Sequence, residues 1–406
     1  MSIQTALKTP IRTLGGHGLL LIGILLIAST LRAPIIGLAP MLGMIRETTG
    51  INAAEAGMLT TLPLLAFAAV SPFAASLARQ YGMERSLFGA MLVIATGIVL
   101  RSAGPVWALF LGTGALGVGI AVANVLLPSL LKRDFPTRIT SLTGAYAVTA
   151  GLVSALVSTA AIPLTHLPNS NWRLSLATLL IFPVAALIAW FPQLRSHAAP
   201  AREVSPPPRG RRIWRSPLAW QVTAFLGLTS LVYNLVTAWL PAILAVAGYS
   251  AATAGSLHGL SQLSTAVPGL ILGPIVRRMK DQRGIAIAVS LATSLSLLGL
   301  WQLPSLAMLW VSLFGFGAGA AFILGLTFVS LRASDSDQAA ALSGMAQCIG
   351  YTLAAAGPPL SGLVHDATGG WTAALVFCVV AALLMAVLGS FAGRDATISA
   401  SSPHRR

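Results

Sequence analysis

The sequence predicts an all-α membrane protein of twelve transmembrane helices, arranged as two pseudo-symmetric six-helix bundles. Three observations lead there. Of 406 residues, 56% are hydrophobic and only 9% charged, and the mean hydropathy is +0.82. A water-soluble chain usually commits about a quarter of its residues to charge, so this one cannot clothe a soluble surface. Apolar runs of about twenty residues recur along the whole chain, the length of a helix that crosses hydrocarbon with its backbone groups satisfied internally. Finally, the basic residues fall on alternate loops.

Taken in order, the apolar runs place spans at roughly 18–43, 54–77, 86–104, 106–131, 141–164 and 172–191, then 218–243, 252–275, 284–302, 305–331, 338–363 and 371–392. The first has Lys8 and Arg12 ahead of an apolar run from Gly18, as a signal peptide would. No small-residue cleavage site follows and the pattern continues to Met44, so it reads as a retained helix. The second and eighth open on Asn52 and Ser250, both suited to cap a helix, with Glu55 placed for a capping box. The glycines of the fourth, Gly112, Gly114, Gly117 and Gly119, lack the Lys-Ser/Thr of a phosphate loop and read as close-packing sites. Cys348 and Cys378 lie in apolar segments and read as small core residues.

With twelve spans, one side of the membrane carries both termini and all 25 basic residues except Arg32, Arg46, Arg101 and Arg173. That asymmetry orients the chain with its termini in the cytoplasm. The net charge of +15 is then a topology signal, and nucleic acid is not an expected partner. The connection at 192–217, with Pro206-Pro207-Pro208 and several arginines, divides the chain into 1–191 and 218–406 and reads as a solvated linker.

The two halves resemble each other. The stretch Ile51 to Gly57 returns as Tyr249 to Gly255 at an offset of 198. Gly117, Gly119, Lys132 and Gly144 return as Gly317, Gly319, Arg332 and Gly344 at an offset of 200. A parallel repeat of six spans is a transporter architecture, with the solute site near the midplane between the halves.

Every carboxylate can be assigned to a loop or a span end. Arg32, by contrast, lies well inside the first span, between Leu31 and Ala33-Pro34, where a charge costs several kcal/mol unless water or a partner receives it. Two readings follow. It snorkels or bonds carbonyls freed near Pro34, or it faces a central cavity and holds an electron-rich or anionic group with its planar donor fork. Arg101, at the outer end of the third span, is expected to snorkel to the interface. Other polar residues fall in the spans lining such a cavity: Asn124, Tyr233, Asn234, His258, Gln262, Gln347 and Tyr351. The pairs His258/Gln262 and Gln347/Tyr351 each share a helix face, while adjacent Tyr233 and Asn234 cannot both point one way. For each residue, an interhelical hydrogen bond competes with solute contact. His258 is the deep side chain able to titrate near neutral pH, and so the candidate proton carrier.

Several strings go further. They are Leu31-Arg32-Ala33-Pro34, then Asn124-Val125-Leu126-Leu127-Pro128 with Lys132 to Pro136, then Trp214 to Thr223 with Ala238-Trp239-Leu240-Pro241. In the eleventh span come Ser343-Gly344-Met345-Ala346-Gln347 with Gly350-Tyr351. Together they resemble the cyanate and 2-nitroimidazole transporter (CynX/NimT) group of the major facilitator superfamily, over nearly the whole chain. The resemblance implies the major facilitator fold, transport of small polar or anionic compounds, and a site containing Arg32. The superfamily's loop between spans two and three normally carries an Asp, where this chain has Arg79. Glu84 is a possible substitute, so Arg79, Glu84 and Arg85 are the candidate cytoplasmic gate.

The expectation is thus a secondary active transporter, not an enzyme, working by alternating access in the cell inner membrane. It should act as a monomer with a small-molecule substrate and the lipid bilayer as partners, and with no cofactor or metal. The competing reading is proton-coupled efflux of a neutral drug-like compound.

Overall fold

The computed structural model describes residues 14–135, 138–195, 210–279, 281–334 and 336–398. Lys8, Arg12, Pro136, most of the connection between the halves with Pro206 to Pro208, Lys280, Asp335, Arg405 and Arg406 lie outside the described residues.

Among those residues the regular structure is helical. The first half contains α1 (Leu14–Ile36), α2 (Leu42–Thr49), α3 (Ala53–Tyr81), α4 (Met83–Ser102), α5 (Val106–Asp134), α6 (Ile139–Thr165), α7 (Trp172–Thr178) and α8 (Ile181–Trp190). The second contains α9 (Pro217–Val246), α10 (Ala251–Ser264), α11 (Val267–Arg278), α12 (Arg283–Gln302), α13 (Ala307–Arg332), α14 (Ser336–Thr368) and α15 (Thr372–Ala392). Ten of the expected spans are long and apolar enough to cross a membrane by themselves. The eighth is divided into α10 and α11, and the eleventh, α14, is diluted by Gln347, Tyr351, Pro358 and Pro359. Large apolar side chains such as Phe73, Ile188 and Met308 point outward, each about two-thirds exposed or more. Lipid, not water, is the solvent that makes such a surface stable.

Three spans are broken rather than continuous, and each break adjoins a proline. Pro40 lies in the 3-10 turn between α1 and α2, Pro183 in the first turn of α8, and Pro268 in the first turn of α11. A proline offers no N–H to the carbonyl four residues back, so the helix ends before it or restarts around it. The expected caps form. Asn52 accepts from Glu55 N while Glu55 accepts from Asn52 N, and Ser250 Oγ accepts from Thr253 N.

The halves meet along two helix pairs, α3 with α14 and α6 with α10. At the end away from the basic loops these pairs touch backbone to backbone. A Cβ on Gly57 would run into the Pro358 backbone, and one on Gly362 into Ala53. Gly255 and Gly259 stand the same way against Ser158 and Ala155. The repeated glycines at 57 and 255 are therefore matching contacts on opposite sides of the seam. Asp366 closes the same end, accepting from Arg46 Nη2 at 2.9 Å and from Ala53 N at 2.7 Å.

The packing also corrects the register of the repeat. Gly117 faces Pro63 of α3, whereas Gly317 faces Thr293 of α12. The residue that answers Gly117 is Gly315, which faces Ser261 of α10, and Gly119 at Ala90 and Ile94 of α4 is answered by Gly317. The offset of 198 seen at the helix openings thus continues through the glycine cluster. An offset of 200 there matches letters but not neighbours.

Candidate functional site

The space between the halves widens below the glycine seam, toward the basic end, into a cavity of ≈ 370 Å³. Its walls come from both halves: Phe67, Asn124 and Tyr146 on one side, Ser230, Gln347 and Tyr351 on the other. The Tyr146 hydroxyl lies 3.4 Å from Asn124 Oδ1, and the Phe67 and Tyr351 rings stand 5.3 Å apart at 51°. Aromatic faces with a few polar groups suit a small planar solute. A second hollow of ≈ 280 Å³, walled by Gly37, Leu156, Leu164, Ile181 and Phe182, opens outward between α1, α6 and α8. Its wall residues Leu156 and Ile181 are among the outward-facing side chains, so it belongs to the lipid surface.

Arg32 lies at the meeting of the halves. It is partly buried, and its Nη2 donates to the Tyr233 hydroxyl at 2.8 Å. It is not turned out to lipid, and it does not bond the carbonyl of Pro34. That carbonyl is taken by Arg101, whose Nη1 donates to it at 2.7 Å. The expectation that Arg101 snorkels is corrected: it is 1% exposed and caps the end of α1, where carbonyls released by the break at Gly37 and Pro40 carry partial negative charge. The cap fixes the turn that follows Arg32. Tyr146, in the cavity wall, lies within electrostatic reach of Arg32.

The polar residues read from the sequence separate into two groups. Asn124, Gln347 and Tyr351 line the cavity, with Gln347 Nε2 donating to Ser343 Oγ at 2.8 Å. Tyr233, Gln262 and His258 form a chain leading away from it. Tyr233 donates to Gln262 Oε1 at 2.8 Å, Gln262 Nε2 lies 3.4 Å from His258 Nε2, and His258 Nδ1 lies 2.7 Å from Ser158 Oγ. Gln262 and His258 are wholly buried. Asn234 turns away from Tyr233 and donates to the Ser230 carbonyl of its own helix at 2.8 Å.

Sequence reasoning missed Tyr146 and Ser158. Tyr146 is one of five tyrosines, and a polar aromatic residue inside a span was a usable signal. Nothing local separates Ser158 from the other span serines. Cys378 is buried as expected, whereas Cys348 is exposed.

At the basic end, Glu84 finds its cation in Arg133 rather than in Arg79 or Arg85. Arg133 Nη2 donates to Glu84 Oε1 at 2.6 Å, and its Nε to Asp134 Oδ1 at 2.8 Å. Burial alone would lower the Arg133 pKa. The hydrogen bonds to Asp134 and Glu84, and their charges, raise it above its ordinary value, so Arg133 stays charged at physiological pH. Arg79 is exposed at the end of α3. In the second half Arg332, at the position that answers Asp134 in this register, donates to Ala392 O at 2.8 Å and to the neutral side chain of Gln282, the counterpart of Glu84.

The profile of the Major Facilitator Superfamily matches residues 19–355. The 2-nitroimidazole transporter of Escherichia coli (strain K12) is 53% identical over 379 residues, which are 93% of this chain and 96% of the relative. The cyanate transport protein CynX of the same organism is 29% identical over 378 residues, 90% of this chain and 96% of its own. Among solved structures, a bacterial homologue of the human lysosomal transporter Spinster, inward-facing and unoccupied, superposes with a TM-score of 0.76 at 14% identity. That match covers 95% of this chain and 98% of the other.

Proposed function

The chain belongs to the Major Facilitator Superfamily, and from that premise we propose that it carries a small, planar, electron-rich compound, nitroimidazole- or cyanate-like, across the cell inner membrane by alternating access. Residues 1–191 and 218–406 are the two bodies that rock, joined by the linker at 192–217. Both termini are cytoplasmic by the distribution of basic residues, so the cavity opens to the cytoplasm and the glycine seam closes the outer side.

The observation that carries the substrate reading is Arg32, a guanidinium partly exposed between the halves whose hydrogen-bond partner is a neutral hydroxyl from the opposite half. A nitro group, a cyanate or a carboxylate offers that fork better acceptors than a phenol does. Phe67, Tyr146 and Tyr351 would hold a flat ring, with Asn124 and Gln347 supplying amides at its edge. Gly57, Gly255, Gly259 and Gly362 let the halves pivot without side chains between them.

Uptake of 2-nitroimidazole and of cyanate into proteoliposomes tests the reading. Arg32→Ala should lower transport about a hundredfold, the loss of two charge-assisted hydrogen bonds, with Arg32→Lys recovering only part of it. Unchanged transport by well-inserted Arg32→Ala removes Arg32 from the site.

A further inference from the structure

The hydrogen-bond chain that begins at Arg32 leaves the first half, crosses the second, and returns. Arg32 of α1 donates to Tyr233 of α9, which donates to Gln262 of α10. Gln262 reaches His258 one turn away, and His258 reaches Ser158 of α6 in the first half. Ser158 Oγ in turn donates to the Gly255 carbonyl at 2.9 Å, at one of the glycine contacts that close the seam. Ser158, His258 and Gln262 are each 0% exposed, so they cannot touch a solute in the cavity. Only Arg32 and Tyr233 remain partly accessible.

We propose that the Tyr233 hydroxyl is the place-holder for the substrate's electron-rich group on Arg32, and that Ser158, His258 and Gln262 are positioning residues that hold it there in the empty carrier. A guanidinium inside a membrane cannot be left without an acceptor. A phenol fills that place more weakly than an anion or a nitro oxygen does, so an arriving substrate displaces it. Displacement also cuts the link that ties Arg32 to the second half beside the glycine seam. Substrate thereby favours the state in which the seam opens, through a contact made in one state and lost in the other. The inference rests on the reading of Arg32 as the substrate anchor.

Two measurements on full-length protein separate the ideas. In the first, 2-nitroimidazole binding is titrated by intrinsic tryptophan fluorescence. Tyr233→Phe, which keeps the ring and removes the hydroxyl, should bind the probe about three- to tenfold more tightly, the gain from one hydrogen bond no longer competing. Its turnover should fall, because occupancy no longer changes the link. A Tyr233 that contacts substrate directly, or a general folding defect, weakens binding instead, and that result overturns the proposal.

The second measurement uses no substrate. Thr61 is 2% exposed at the seam, with its hydroxyl on the Ala355 carbonyl at 2.9 Å. Thr61→Cys, with Cys348→Ser and Cys378→Ala, is labelled with a membrane-impermeant maleimide. Adding Tyr233→Phe or Ser158→Ala should raise the labelling rate several-fold, and equal rates in all three proteins overturn the proposal. Ser158→Ala supplies this reading even if Tyr233→Phe fails to reach the membrane. Arg32→Ala controls the premise: if it binds 2-nitroimidazole like the parent, the anchor reading fails, whatever the labelling shows.

Discussion

The two halves share a scaffold but not its chemistry. At an offset of 198, Glu84 becomes Gln282 and Arg101 becomes Gly299. The cluster at the basic end is Glu84–Arg133–Asp134 in the first half and Gln282–Arg332 in the second. Where Gly112 makes room for the Arg101 backbone in the first half, Gly299 makes room for the Trp310 ring in the second. Where the halves meet, Arg32 of the first donates to the Tyr233 hydroxyl of the second. Three close contacts keep glycine in both halves, at 57 and 255, 117 and 315, and 119 and 317. Several positions that set charge have diverged: Glu84 answers to neutral Gln282 and Arg101 to Gly299. Arg32 meets a neutral hydroxyl from the second half, while Arg46 keeps a carboxylate, Asp366, across the seam. Packing is a symmetric demand, since each half needs the other at the same distance. Anchoring one small solute is not, and a second buried arginine opposite Arg32 would repel it.

The harshest way to break this comparison is to disturb what the halves share. Gly57→Leu and Gly255→Leu each drive a side chain into opposing backbone, and overpacking of this kind costs about 1–3 kcal/mol or more. Transport should fall at least about tenfold in both, because that energy is charged against the closed seam rather than spread over the fold. Gly144→Ala, whose Cβ meets nothing within 4 Å, is the control and should transport normally.

A smaller effect comes from giving the first half the chemistry of the second. Glu84→Gln leaves Arg133 with Asp134 and a neutral amide, and should lower stability by about 1–2 kcal/mol, the gap between a charge-assisted and a neutral hydrogen bond. Thermal unfolding in detergent reads this directly. Because Arg133 keeps its charge far above neutral pH, the loss should be the same between pH 6 and 8.

The converse exchange should be smaller and opposite in sign. Gln282→Glu gives Arg332, 3% exposed, an ionic partner, and the midpoint should rise with a gain of about 1 kcal/mol or less, since desolvating the new carboxylate offsets most of the attraction. A fall in the midpoint would show that the second half tolerates its arginine only with a neutral partner.

Much of the fold was legible because hydropathy and capping act locally. Asn52 and Glu55 form their box within one helical turn, and the long apolar runs could be satisfied only as helices. The need for a partner at Arg32 was also legible, because a charge so far from the nearest span end has few ways to be solvated. Its partner was not: Tyr233 lies 201 residues away, and nothing along the chain says which face of α9 turns inward. Adjacent Tyr233 and Asn234 make the point, since one reaches Arg32 and the other bonds its own helix. The same holds for Glu84, whose cation is 49 residues distant at Arg133 while nearer arginines were available. Arg101 was misread because its depth depends on α1 breaking beside it, which no run of letters near residue 101 discloses.

By itself, then, the sequence determined where the apolar spans lie, how the second and eighth are capped, which loops are basic, and that one cation must be received inside the membrane. These follow from transfer energies and short-range hydrogen bonds that each segment feels on its own. Tertiary structure decided which glycines correspond between the halves, which of two neighbouring side chains reaches the opposite half, and that a neutral hydroxyl serves Arg32. Such choices depend on the rotation and tilt of packed helices, set by contacts between residues hundreds of positions apart.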